Sequence, residues 1–467
     1  MQSQNLLNRL VSIRPTQNQI KWQELEFYAF IHYGVNTYTD VEWGNGKETP
    51  AIFNPSALNT DQWCECLKSA NMTAVVITAK HHDGFCLFDS KYTQHTVMNS
   101  PYGKDIVAQL TESCRKYGLK LGIYLSPWDQ HDPRYGTGDE YNDFFCNQLT
   151  ELMTNYGELF CLWFDGACGE GSNGKVQKYD WGRYFDLIRK MMPNAVIASI
   201  GPDVRWCGNE AGICRESEFS VVPTAMADIK MIQDMSQKEE GSDFADIIHE
   251  RCVEDIGSRT ALKDVSELCW YPAEVDYSIR PGWFYHASED DKVHSLERLK
   301  MVYLQSVGGN AAFLLNIPPN REGLIHTQDA KRLAELGAWI TESFSVNLLK
   351  NAVFTASDSE AGYSAEKINK ATWKSLEESQ KPWVEVTAKS PVSPKYLVLQ
   401  EDILHSQRIE EFTLSCMENG SWAEVCKGTV VGYKRICTIE KAFTSAKWKL
   451  EITSCRLGAT LKSFMLF

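Results

Sequence analysis

The chain has 467 residues, 43% hydrophobic and 23% charged, ordinary values for a globular protein large enough for one α/β barrel and a smaller domain. A formal net charge of -14 argues against nucleic acid or an anionic membrane as the main partner. No apolar run reaches transmembrane length, and the opening MQSQNLLNRLVSIRPT lacks the apolar segment of a signal peptide. The expectation is a soluble chain, periplasmic or extracellular if an export signal was removed.

The first strand candidate is FYAFIHYGV at 27–35, which closes on His32, Tyr33 and Gly34. A polar loop holding Glu42 and Trp43 follows, and Thr60-Asp61 can cap a helix over 62–70. AVVIT at 74–78 is a second buried strand, running into His81-His82-Asp83-Gly84. An amphipathic helix is expected over 105–117, stopped by Gly118. Then come a strand, LGIYL at 121–125, and a helix over 141–156 that stops at Gly157.

LFCLWFDG at 159–166 is too short for a helix and rich in strand formers, so it reads as a strand buried on both faces. Asp165 stands where the strand ends, and Gly166 lets the backbone turn. In parallel β/α proteins chemistry is placed at the C-terminal ends of strands. The plain alternative is an Asp capping the next helix. A helix over 181–192, halted by Pro193, and a strand over 195–200 follow. The acidic stretch 225–257 reads as a long loop near the barrel mouth. Further strands are expected at 268–271, leading into Pro272-Ala273-Glu274, and at 311–317, ending in Pro318-Pro319-Asn320.

This alternation predicts a parallel sheet with helical crossovers. Polar or aromatic residues at nearly every strand end predict a closed, TIM-like (β/α)8 barrel with one active face, over residues 1–345. An open doubly wound sheet is the alternative, but no glycine-rich phosphate turn follows the first strand. From 346 to 467 the period changes. Short alternating strands at 383–386, 396–400, 412–415 and 447–452 predict a C-terminal β-sandwich.

The 15 Cys show no tight spacing, and Cys64 and Cys66 point to different faces of one predicted helix, so the thiols read as mostly reduced and buried. With 14 Trp and 19 Tyr, aromatic faces are available either for sugars or for core. Cleavage of a glycosidic bond needs two carboxyls facing each other. Asp165 is one candidate. Glu210, in RWCGNEAG at 205–212, is the favoured second, beside a Trp that can desolvate it and raise its pKa. Glu42, Glu216, Glu218 and Glu274 compete with it. His32, His81 and His82 invite a metal, but neighbours on a strand point to opposite faces and no zinc-type spacing is present. Core histidines bonded to backbone, or ring nitrogens offered to sugar hydroxyls, are the other readings, and three histidines at strand ends favour the last. Trp43 and Trp283 are candidates for an apolar wall, or simply core.

Taken together, HYG at 32–34, EW at 42–43, HHDGF at 81–85, WFDG at 163–166, NIPPN at 316–320 and REG at 321–323 resemble glycoside hydrolase family 29, the α-L-fucosidases. The resemblance runs in order over most of the first 345 residues. WCGNEAG at 206–212 and PAEVDYSIRPGWFYH at 272–286 resemble the branch selective for branched α-1,3/1,4-linked fucose. The tail, with Asn351, Trp373, VLQEDI and GYKRI, is similar to the discoidin-like sandwich common in that branch. The resemblance implies a retaining double displacement with Asp165 as nucleophile and Glu210 as acid/base, needing no metal or organic cofactor. His32, Glu42, Trp43, His81, His82, Tyr124 and Trp283 match positions that hold fucose, with Arg280 and Arg205 as further candidates. The implied partner is a fucosylated oligosaccharide or glycoconjugate. Fucose is a 6-deoxy sugar whose methyl wants an apolar wall and whose hydroxyls want polar partners, and histidines with Trp supply both. A different glycosidase, a broad-specificity fucosidase and a non-catalytic fucose-binding protein are the alternatives.

Overall fold

The computed structural model describes residues 2–236 and 253–467. Two helices, α1 (Gln2–Ser12) and α2 (Gln17–Gln23), lead into β1 (Phe27–Ile31). Then follow the short α3 (Asn36–Thr39), α4 (Thr60–Ser69), β2 (Ala74–Lys80), α5 (Ile106–Tyr117), β3 (Lys120–Leu125), α6 (Asp139–Asn155), β4 (Leu159–Phe164), α7 (Trp181–Met191), β5 (Val196–Ser199) and β6 (Arg205–Trp206). The two-stranded ribbon β7 (Val221–Pro223) and β8 (Leu268–Trp270) brackets α8 (Ile229–Ser236) and α9 (Arg259–Leu262). Next are β9 (Ala273–Ser278), α10 (Leu296–Ser306), β10 (Ala311–Asn316) and α11 (Thr327–Phe344).

Eight strands pair in parallel in the order β5-β4-β3-β2-β1-β10-β9-β6. A parallel bridge between Ala198 and Val204 brings the two edges of the sheet together, so the barrel is nearly closed. β1 and β2 are buried at every residue, which is why their sequences run apolar instead of alternating. Tyr28, Phe30, Val76, Tyr124, Trp163 and Leu314 fill the interior, and Trp22 and Leu25 join that cluster from α2 and the turn after it.

Several local readings are corrected. Asn59, not Thr60 or Asp61, caps α4: its extended backbone aims the side-chain oxygen at the Asp61 and Gln62 amides. No helix separates β5 from β6; a tight turn through Gly201 replaces it, where a Cβ would meet the Ile197 carbonyl oxygen at 2.4 Å. Arg205-Trp206, at the start of the RWCGNEAG segment, forms the short strand β6. The strand expected at 268–271 lies in the ribbon, and the barrel strand is β9, beyond Pro272. Within the acidic stretch 225–257, α8 is helical, and 237–252 fall outside the described residues.

The tail is antiparallel throughout. A five-stranded sheet is built from β11 (Val353–Ala356), β13 (Trp383–Val392), β15 (Ile409–Glu418), β16 (Ser421–Gly428) and β18 (Ser445–Cys455). A three-stranded sheet joins β14 (Tyr396–Gln400), β17 (Arg435–Thr438) and β20 (Ser463–Leu466), and β12 (Trp373–Lys374) pairs with β19 (Thr460–Leu461). Trp373, Phe412, Trp448 and Phe464 form their shared core. The fold is a (β/α)8-type barrel followed by a β-sandwich.

A backbone seam joins the two. Gly309 pairs with Arg435 in an antiparallel bridge, the Asn310 amide donates to the Lys434 carbonyl at 3.0 Å, and the Ile436 amide donates to Gly308 at 2.9 Å. Tyr433 N–H donates to Asn310 Oδ1 at 2.7 Å, and Lys434 pairs with Glu26. Among the described residues no helix is long and apolar enough to cross a membrane.

Candidate active site

The C-terminal ends of the barrel strands surround one pocket, lined by His32, Glu42, Trp43, His81, His82, Tyr124, Asp165, Glu210 and Trp283, among others. Asp165 follows β4 directly. Its Oδ1 accepts the Ala167 amide at 2.8 Å, a local turn, while the helix that follows is capped by Asp180. Its Oδ2 accepts the Tyr124 hydroxyl at 3.0 Å and lies 3.8 Å from His82 Nε2. Burial first, and then the Asp165 charge, push the Tyr124 phenol well above its ordinary range, so it stays a donor. The Asp165 side chain is 24% exposed, which leaves the carboxylate accessible from the pocket.

Hydrogen-bond chains fix a proton on Nδ1 of two histidines. Ser278 Oγ donates to the Gly282 carbonyl and accepts from Asn316 Nδ2, whose second bond goes to the Trp283 carbonyl. Asn316 Oδ1 is thus the acceptor toward His32 Nδ1 at 2.8 Å, and the neutral His32 ring carries its lone pair on Nε2. Ser126 Oγ likewise donates to the Trp128 carbonyl and accepts from His82 Nδ1 at 2.7 Å, so Nδ1 carries a proton and Nε2 is the nitrogen that faces Asp165. Burial, with His82 and His32 beside it, holds His81 well below the ordinary imidazole range. Strand alternation does not separate His81 from His82, because β2 ends at Lys80; their rings lie 4.1 Å apart and both face the pocket.

On the opposite wall Trp283 is the hub. Its indole N–H donates to Glu210 Oε2 at 2.9 Å, its backbone amide donates to Glu42 Oε2 at 3.0 Å, and Glu42 also accepts Phe284 N and His286 Nε2. Asp40 holds the other His286 nitrogen at 2.9 Å. The indole expected beside Glu210 was that of Trp206, but that ring donates to Asp276 at 2.7 Å instead.

Of the competing carboxylates Glu42 lines the same pocket, committed to Trp283, Phe284 and His286, and the other three lie elsewhere. Glu274 is buried in the barrel beneath the pocket, where it accepts Trp163 Nε1 at 2.7 Å and the Tyr28 hydroxyl. Burial pushes its carboxyl up to about 7, against the pull of those two donors. Glu218 is buried against Arg205 and Arg215, and Glu216 is exposed. Arg205 therefore serves Glu218. Arg280, like Arg205, does not line the pocket. Its side chain is fully buried, bonded to Asp329 at 2.8 and 3.0 Å and to Asp290 at 3.0 Å, over the Tyr285 ring. A cation so paired has its charge committed within the protein.

Trp206 lines the pocket too, and so do Trp163, Ser199 and Asp276, which were not anticipated. Trp163 carried a usable signal, standing two residues before Asp165 on the same strand face. It stacks on Tyr124 at 5.4 Å. Asp276 shares its face with Glu274 in AEVDYS, once β9 is recognised as a strand. Among the described residues no group of three His, Cys, Asp or Glu is arranged to hold a metal ion. What the pocket offers is four carboxylates, Glu42, Asp165, Glu210 and Asp276, with imidazoles and indole walls, the parts needed for acid/base or covalent work on a polyol.

Known proteins similar to this chain fall in one family. Residues 32–343 match the family model described as Alpha-L-fucosidase. The chain is similar to Alpha-L-fucosidase 1 of Arabidopsis thaliana, with 39% identity covering 97% of this chain and 87% of that protein. It also resembles the crystal structure of a provisionally assigned α-L-fucosidase from Bacteroides ovatus, with 42% identity and a TM-score of 0.86 over 100% of this chain and 76% of that one. A Ruminococcus gnavus GH29 fucosidase in complex with fucose matches with 26% identity and a TM-score of 0.82, over 97% and 95% of the two chains.

Proposed function

The chain belongs to the α-L-fucosidase family, glycoside hydrolase family 29, and from that premise we propose a retaining exo-α-L-fucosidase acting on terminal α-1,3/1,4-linked fucose of branched, Lewis-type glycans. Residues 1–345 are its catalytic unit and 346–467 an appended sandwich. The observation that carries the reading is that Asp165 and Glu210 line one pocket, each held by its own donor, Tyr124 and Trp283.

In the first step Asp165 attacks the anomeric carbon as the glycosidic bond breaks, and Glu210 gives its proton to the departing oxygen. A fucosyl ester of Asp165 results. Glu210 then takes a proton from the water that attacks the same carbon, so two inversions restore the α configuration. Tyr124 orients the Asp165 carboxylate for attack, and because its bond is stronger to the free carboxylate than to the ester it favours release of that carboxylate in the second step. The Nε2 atoms of His32 and His82 suit sugar hydroxyls, and Trp43 with Trp163 suits the C6 methyl.

The linkage preference draws its support from the segments 206–212 and 272–286. They meet at the pocket through the Trp283–Glu210 and Trp206–Asp276 bonds. If contacts with the leaving sugar position the scissile bond, truncated substrates lose turnover as well as affinity. The test is kcat/KM, in one buffer, on a Lewis-a or Lewis-x trisaccharide, an α-1,2-linked fucosyl disaccharide and an aryl fucoside. The trisaccharide is expected to be cleaved much the fastest. Equal or better rates on the other two would keep the fucosidase and reject the branch.

A further inference from the structure

We infer that Ser199 is a substrate-contacting residue whose hydroxyl hydrogen-bonds the sugar held between Asp165 and Glu210. The inference rests on the proposed roles of those two carboxylates and adds a contact that neither the motifs nor the family resemblance assigns. Around the barrel mouth the order is β4, β5, β6: Asp165 follows β4, Ser199 ends β5, and Glu210 follows β6. Ser199 is paired in register with Phe164, the residue before Asp165. It therefore occupies the sector between the two carboxylates, and it lines the pocket.

Two further observations point the same way. Ser199 has a φ of 61°, in the left-handed region where an L side chain is strained and glycine is not. The same turn does use a glycine, two residues on at Gly201, so a serine at 199 calls for a reason other than the bend. The Ser199 residue is 3% exposed, and its hydroxyl, which makes no hydrogen bond to another described residue, is open to the pocket it lines and is not sealed in the core. Its strand neighbours Ala198 and Phe164 and the following Ile200 offer no side-chain polar group. A hydroxyl that faces a pocket without a protein partner is available to bond a ligand held there. Strain held at a pocket wall has the form expected of a functional position.

Ser199→Gly and Ser199→Ala test this against a purely structural role. Glycine relieves the strain and alanine keeps it, while both delete the hydroxyl. Both variants are expected to lose roughly 5- to 10-fold in L-fucose affinity by calorimetry and a similar factor in kcat/KM, with the melting temperature of Ser199→Gly equal to or above wild type. Fucose affinity within about twofold of wild type in both variants would overturn the inference. So would a loss confined to one of them, which would trace to backbone rigidity or to the methyl group. Wild type that binds fucose but hydrolyses no fucoside would reject the proposed function, while the affinity ratios would still judge Ser199.

Discussion

Trp283 and Glu210 are joined by an indole N–H···O bond of 2.9 Å, while the Trp283 backbone is pinned independently, its amide to Glu42 and its carbonyl by Asn316. Trp283→Phe keeps the ring and both backbone bonds and removes one donor. A hydrogen bond to a charged group is worth about 1.5–3 kcal/mol, so kcat/KM is expected to fall about 10- to 100-fold. The melting temperature should stay close to wild type. A phenylalanine variant as active as wild type would show that Glu210 needs no orienting partner.

Asp165→Asn preserves shape and removes charge. The loss of kcat is expected to be on the order of 10³-fold or more, with the fold intact by circular dichroism. In Asp165→Gly, azide should restore turnover and give a fucosyl azide of inverted configuration. In a ligand-bound crystal the Asp165 and Glu210 carboxyls should lie about 5–5.5 Å apart, not the 6.5–9.5 Å or so of an inverting pair. Substantial activity of Asp165→Asn, deamidation excluded, would move the nucleophile elsewhere.

His286 gives the loop that carries Trp283 a pH dependence. Its bond to Glu42, reinforced by Asp40, holds the imidazolium up to about 9 against burial, above the usual 6.5. A histidine raised on folding stabilises fully below its unfolded value, and that stabilisation is lost as pH rises through the folded one. Melting temperature should therefore decline between about pH 6.5 and 9 by more in wild type than in His286→Gln. Parallel curves for the two proteins would remove His286 from the account.

Glu274 has the same sign and a different window. Burial raises its carboxyl from 4.5 to about 7, so its contribution is fully present below pH 4.5 and is lost as pH rises through 7. Glu274→Gln, which can still accept from Trp163, should flatten the difference in melting temperature between pH 5 and pH 8. Glu274→Leu leaves the Trp163 and Tyr28 donors without their acceptor, at a cost of about 1–3 kcal/mol for each buried group. Equal pH slopes in wild type and Glu274→Gln would contradict this.

β4 and Asp165 were legible because an apolar run buried on both faces stops abruptly at a charge, a pattern that needs no knowledge of partners. The same held for β1, β2 and β3. β9 was hidden because its inward face is acidic: Glu274 and Asp276 read as surface residues until Trp163, Tyr28 and Trp206 are known to face them. Arg280 misled for the same reason, since its partner Asp329 lies 49 residues downstream, on α11. Adjacency also misled at Glu210, where the neighbouring Trp206 turned to Asp276 and a tryptophan 73 residues away took its place. Local pattern reports what a segment buries; it does not report which distant donor meets a given carboxylate.

The seam between Gly308–Asn310 and Tyr433–Ile436 bears on any attempt to recombine this enzyme with its relatives. Gly309 has no room for a side chain, since a Cβ would sit 1.9 Å from the Gln305 carbonyl oxygen and 2.7 Å from Cys214 Sγ. A chimera joined at the end of α11 would inherit one side of this seam and not the other, leaving backbone amides and carbonyls beside β10 without partners. The tail is thus no interchangeable cassette. Shuffled libraries should carry the glycine pair, Asn310 and the segment 433–436, which leads into β17, as a single inherited block, with crossovers placed outside it.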